Sequence, residues 1–229
     1  MAITLGDSHN ASNLNATNTL VLTVPTCVVG DVLIAMINIV HYNSDVTVTD
    51  PAGWTLIHTE KVTNYVENRT FYRVVDGTEG ASYTWTVSAN RRMLGVMTAY
   101  KGVDVATPVD AHGAGQGSGT EQTAPTITTT VDNCYLIAFD AVGNAPEVDI
   151  PPAGMTLRWS FSTTGSIFQY DEVLSAAGAT GTRHLHVLSG YRWAFINIAL
   201  RPGGGDPYYL GKNRWGHLKS AVVKHTIGA

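Results

Sequence analysis

The sequence predicts an all-β fold: an antiparallel, jelly-roll-like β-sandwich built from two duplicated halves, with an extended or short-helical arm at its C-terminus. Three observations predict it. Apolar and polar residues alternate with period two, as Tyr83, Trp85 and Val87 do against Thr84, Thr86 and Ser88, which puts one set on a core face and the other toward water. Blocks of the first half of the chain recur, in order, in the second. After Arg201-Pro202 the composition turns into a glycine run followed by basic, aromatic sequence.

Composition sets the limits. Of 229 residues, 44% are apolar and only 14% charged, which fits a globular chain rather than a disordered one and suffices for a sandwich of ordinary size. The opening Met-Ala-Ile-Thr-Leu runs at once into Asp7-Ser8-His9-Asn10, so no secretory signal is expected. The longest apolar run, Val32 to Val40, is too short to cross a bilayer core of about 30 Å as a helix; no membrane partner is expected. The Asn-x-Ser/Thr sequons at Asn10, Asn15 and Asn68 then read as ordinary loop sequence. Two cysteines, Cys27 and Cys134, cannot make a disulfide framework or a zinc site by themselves; free core thiols are expected, with one bridge as the alternative.

The elements follow in order. Val32–Val40 and Cys134–Val142 are nearly continuous apolar runs of strand length, suited to central strands covered on both faces or to strands at a subunit contact. Pro51-Ala52-Gly53 and Pro152-Ala153-Gly154 combine proline's fixed φ with glycine's permissive one, a turn just before a strand. Asp76-Gly77 and Asn90 are further turn signals. Met155, Leu157, Trp159 and Phe161 alternate with Thr156, Arg158 and Ser160. Leu33-Ile34-Ala35 matches Leu136-Ile137-Ala138, and Pro51–Leu56 matches Pro152–Leu157; the spacing of about 100 residues is far longer than a solenoid or propeller period. The duplicated domain therefore spans 1–202, with pseudo-repeats at about 20–111 and 125–202. Between them the glycine-rich stretch 112–120 reads as a flexible connector. Four or five strands per half are few for independent stability, so the halves are expected to share one sandwich of eight to ten strands.

Residues 203–229 form the linker and arm. From Gly203 onward Lys212, Arg214, Lys219 and Lys224 stand against Asp206, a net charge of +3, which leaves −7 for the body within the total of −4. Exposed Tyr208, Tyr209 and Trp215 are costly to leave in water. An arm that docks on a partner follows, with Tyr208, Tyr209, Trp215, Leu218, Lys219 and Lys224 as contact residues and the aromatics as buried anchors.

Chemistry is sparse. The G-x-S-x-G elbow, H-E-x-x-H, the P-loop and the dinucleotide fingerprint are absent, so no catalytic residue, cofactor or metal is assigned and no enzyme is expected. His184-Leu185-His186 has two-ligand spacing on a strand, with His41, His58 or His112 as third-ligand candidates, but an exposed pair is the plainer reading. Asp171-Glu172 would point to opposite faces, a poor glycosidase pair; Asp104 and Asp110 read as turn formers. Trp54, Trp85, Trp159 and Trp193 fall in patterned strands, whereas Tyr42 and Tyr65 lie in polar loop surroundings and are the candidate glycan contacts. The acidic body lacks the basic stripe that nucleic acid requires.

Taken together, GDVLIAMI, PAGWTLI, FYRVV, SYTWT and AYKGVD-x3-PVD resemble a β-sandwich module of tailed-phage and prophage virion proteins of the capsid-decoration, head-fibre or tail-fibre kind. The resemblance covers about residues 20–111, with 125–202 as a diverged copy in which Met155 replaces the Trp and IALRP replaces AYKGVD. It brings no catalytic residues. It implies a non-enzymatic structural protein on the virion exterior, most simply a capsid decoration protein held by its arm to the major capsid protein or other virion proteins, as a homo-oligomer for which a trimer is admissible. The alternative it implies is a tail or fibre protein that binds host-surface glycans through sandwich loops.

Overall fold

The computed structural model describes residues 2–204 apart from 14, 145–147 and 164. The six arm residues named above therefore lie outside the described residues. Among the described residues there is strand, turn and bridge but no helix. The N-terminal half carries β1 (Thr4–Ser12), β2 (Thr19–Thr23), β3 (Val32–Val40), β4 (Val48–Thr49), β5 (Thr55–Val62), β6 (Val66–Val74), β7 (Ser82–Val87) and β8 (Arg92–Lys101). The C-terminal half carries β9 (Val109–Ala124), β10 (Thr128–Thr129), β11 (Cys134–Val142), β12 (Val148–Ile150), β13 (Thr156–Ser162), β14 (Ser166–Leu174), β15 (Gly178–Ala179) and β16 (Arg183–Leu200).

The two halves repeat one antiparallel topology. The first main sheet runs β1-β8-β3-β6-β5, and the second runs β9-β16-β11-β14-β13. The nine residues of β3 and the nine of β11 are all buried, because each strand sits mid-sheet with a layer on both faces. Toward the middle of the molecule Val32, Ile34 and Met36 meet a core shared with Tyr135, Ile137 and Phe139. Away from it Leu33, Ala35 and Ile37 pack under a three-stranded layer, β2-β7-β4, through Leu20, Leu22 and Trp85.

The halves do face each other across one core, but the arrangement has four layers rather than the two of a single shared sandwich. In the C-terminal half the outer layer is made by the same long strands that build the main sheet. The pairing of β9 with β16 runs from Leu200 to Tyr191, slips, and resumes at His186. Beyond the slip, Ala124, Leu185 and Val187 cover the outer face of Ala138, Phe168 and Phe195. A break in register of this kind lets one strand bend into a second layer.

The segment 112–120 is accordingly a correction. It is not a flexible connector but most of β9, bonded to β16 residue by residue, and it stands where β1 stands in the other half, at the edge beside the last long strand. Its glycines serve close packing. A Cβ at Gly113 would come within 2.8 Å of Ile127, one at Gly115 within 2.7 Å of the Thr123 carbonyl oxygen, and one at Gly117 within 2.8 Å of the Trp193 ring. The chain folds back over its own strand, and only glycine leaves room. The repeat thus begins at β1 and β9, earlier than the sequence match places it.

Other expectations are met or refined locally. Gly53 and Gly154 hold φ of +81° and +80° at the two matching turns. Trp85 and Val87 are buried and Thr84 and Ser88 exposed. In β13 the alternation breaks: the register shifts between Leu157 and Trp159, and Leu157 is left exposed while Trp159 and Phe161 reach the central core. Cys27 and Cys134 are free; burial raises both thiols and pushes Cys134 up to about 11, which keeps it an unreactive thiol. Asn68, in one sequon, is fully buried and donates through Nδ2 to the Phe139 and Ala194 carbonyls at 3.2 and 3.1 Å. Asn38 reaches the Val142 and Ser166 carbonyls in the same way, at 3.1 and 2.8 Å. These amides clip the first main sheet to the backbone of the second.

Candidate functional site

The register gives the body two ends, a strand length apart, or about 30 Å for nine residues. At one end, the base, Val32 pairs with Tyr100 and Tyr135 with Leu200. At the other, the tip, Val40 pairs with Arg92 and Val142 with Trp193.

The tip carries a cleft of about 580 Å³ between the halves. The β3–β4 and β5–β6 loops supply Tyr42, Asn43, Asn64 and Tyr65; the C-terminal half supplies Tyr191 and Arg192 over a floor of Gly119, Gly143 and Gly190. The two expected glycan contacts, Tyr42 and Tyr65, are thus brought together, 49% and 45% exposed. Tyr191 and Arg192 escaped the sequence reading, although the repeat sets RRMLGVMTAY against YRWAFINIAL and so aligns Arg92 with Arg192.

Local bonding fixes the wall. Asn43 N–H donates to the Asn64 carbonyl at 3.0 Å, and His41 N–H to the Tyr65 carbonyl at 2.9 Å. Asp45 accepts from the Asn64 backbone N–H at 2.8 Å and from Lys61 Nζ at 2.9 Å; the first of these bonds holds its carboxyl below the ordinary value. Tyr42, Asn43 and Asn64 have φ of +48°, +69° and +65°, a left-handed backbone that asparagine tolerates and tyrosine resists. Beneath the loop His41 is fully buried, its Nε2 3.1 Å from Glu67, which also takes a bond from Arg69 at 3.1 Å. The guanidinium of Arg192 lies 4.8 Å from the Tyr65 ring centre, and that of Arg92 lies 5.5 Å from the Tyr42 ring centre, the geometry of cation–π stacking.

At the base the chain leaves the body beside its own N-terminus. Val103 bridges Pro202, Gly203 N–H donates to the Gly102 carbonyl at 2.7 Å, and a groove is lined by Ala2, Ile3, Tyr135, Val173 and Gly204. Val173 is 62% exposed there.

The other sequence candidates are structural. His184 sits between Thr123 and Thr182, at 3.0 and 2.8 Å, and His186 lies 3.7 Å from Glu121. Among the described residues no group of three or more His, Cys, Asp or Glu side chains could hold a metal ion. Asp171 and Glu172 point to opposite faces, the one bonded to Arg158 and Tyr135, the other to Arg183. Asp104 caps its turn by accepting from Ala106 N–H at 2.9 Å. Asp110 corrects its assignment: it lies in β9 and bonds the Thr130 backbone and Arg201, both at 2.6 Å, tying the residue after β16 to the sheet.

His58 on β5 and His112 on β9 meet across the halves, ring centres 5.3 Å apart. Burial, then the His58 charge, lowers the His112 pKa below its ordinary 6.5. The folded state therefore binds the proton less readily than the unfolded chain, so stability is full above that value and falls as pH drops through it. His112→Gln is expected to flatten this acid limb; urea denaturation on either side of pH 6.5 checks it, and an unchanged slope would exclude the pair as its source.

No protein-family model, curated protein or solved structure matches the chain.

Proposed function

We propose that the chain is a non-enzymatic structural protein of a tailed-phage virion, a capsid decoration protein whose C-terminal arm binds the major capsid protein while the body stands outward, in company with further copies. The observation that carries this reading is the polarity of the body. The chain leaves at Gly203-Gly204 from the base, next to the N-terminal strand, and the exposed cleft lies at the far tip. By composition, Gly203-Gly204-Gly205 suits a hinge between the body and a docking segment. The arm's net +3, against −7 for the body, favours an acidic partner surface for the arm alone, and its aromatics supply the buried area.

Deleting residues 205–229 is expected to abolish binding to capsids that lack the protein while the thermal unfolding of the body changes little, since the last backbone hydrogen bond among the described residues, from Gly203 N–H to the Gly102 carbonyl, is kept. Sedimentation of the truncated chain with particles reads this out. Full occupancy by the truncated chain would overturn the reading. A tail or fibre placement is the second reading, favoured by the tip cleft.

A further inference from the structure

We propose that the tip cleft is a saccharide-binding site selective for sugars that carry a carboxylate. Three features of the cleft lead there. First, it presents tyrosine rings, not aliphatic side chains, at its mouth: Tyr42 and Tyr65 are about half exposed and Tyr191 lines the same space. An amphipathic ring offers a flat apolar face to the C–H side of a pyranose and a hydroxyl to its edge, at little conformational cost. In a folded core such rings would be buried, as Tyr100 and Tyr170 are; here they stand in strained or tightly pinned loops.

Second, Asn43 and Asn64 line the cleft together with the rings. Each offers donors and an acceptor, the pairing that vicinal hydroxyls require. The volume, about 580 Å³, lies within the span of roughly 300–1,000 Å³ usual for small-ligand sites.

Third, the charge is one-sided. Arg192 lines the cleft, and the Arg92 guanidinium lies over the Tyr42 ring. Among the described residues neither guanidinium has a carboxylate partner within 4.0 Å. The nearby carboxylate, Asp45, is held by Lys61 and by the Asn64 backbone. A guanidinium held over a ring, with no carboxylate against it among the described residues, is suited to a bidentate bond to a ligand carboxylate. A nucleic acid would also stack on tyrosine, but it needs a basic groove along its backbone, and the body carries −7. A single uronate or similar acidic sugar needs only the one guanidinium.

The test uses the full chain on a glycan array holding uronate-containing and sialylated glycans beside neutral ones, followed by calorimetry on the retained glycans and their carboxyl-reduced counterparts. Carboxylate-bearing glycans are expected to be retained, with at least about tenfold weaker binding after carboxyl reduction, in Arg192→Ala and in Tyr65→Ala. Tyr65→Phe should keep most of the affinity and Arg192→Lys only part of it. Both positions are exposed, so unchanged melting of the variants separates lost binding from lost folding. Retention of neutral glycans with no loss on carboxyl reduction would overturn the charge selectivity. Retention of no glycan, or of a single-stranded oligonucleotide instead, would overturn the site.

Discussion

Asp171→Ala is expected to lower folding stability by about 3 kcal/mol. The carboxylate is 1% exposed and accepts from Arg158 Nε at 2.8 and 2.9 Å and from the Tyr135 hydroxyl at 2.8 Å. Removing it strands a buried hydroxyl between the main sheets and frees a guanidinium whose side chain is 34% exposed. Because Arg158 can turn to water, the cost falls at the low end of what losing one partner of a buried pair brings. The Tyr135 hydroxyl, pushed up to about 12 by burial and by its bond to Asp171, should also titrate lower in the variant. Urea denaturation and the alkaline absorbance change of tyrosine read the two effects; a loss below about 1 kcal/mol would show that the pair is incidental.

The opposite sign is expected one strand away. Asp140 lies on the outer face of β11, fully buried, with neither carboxyl oxygen hydrogen-bonded and the equally unpartnered Tyr170 hydroxyl in the same cluster. Burial raises its pKa well above the ordinary 3.8. The folded state thus holds a proton that the unfolded chain releases, and stability falls as pH rises from that value toward the folded pKa. Asp140→Asn should remove this slope. Asp140→Val, which also removes the unpaired polar atoms, should gain about 1–3 kcal/mol near neutral pH. The N-terminal half supports the exchange. Ile37 pairs with Gly95 in β3–β8 as Asp140 pairs with Phe195 in β11–β16, and Leu20 faces Trp85 where the buried, unpaired Gln122 faces Leu185. At these two positions the second half buries polar residues where the first buries aliphatic ones. A loss of stability in the valine variant would mean that the volume beside Phe195 is already full.

Much of the scaffold is legible in the sequence because its determinants are local. Period-two alternation marks Tyr83–Val87, continuous apolar runs mark the central strands β3 and β11, and the two Pro-Ala-Gly turns give the repeat its frame. Tyr42 and Tyr65 stand out by their polar neighbours alone. The failures share a different cause. The stretch 112–120 has the composition of a linker, and nothing in its own residues tells that the chain folds back over Gly113 and Gly115. Short strands such as Val48–Thr49 carry no period to read, so the outer layers stay hidden, and four layers look like two.

Spacing along the chain was enough to mark the fold as all-β, to show that the second half repeats the pattern of the first, and to pick out the central strands. It took the packed sheets to show that the glycine run is a strand, that Tyr191 and Arg192 join Tyr42 and Tyr65 in one cleft, and that the chain leaves the body at the opposite end. Those facts depend on which residues meet far apart in the chain, and side chains that meet through sheet register leave no mark on the sequence between them.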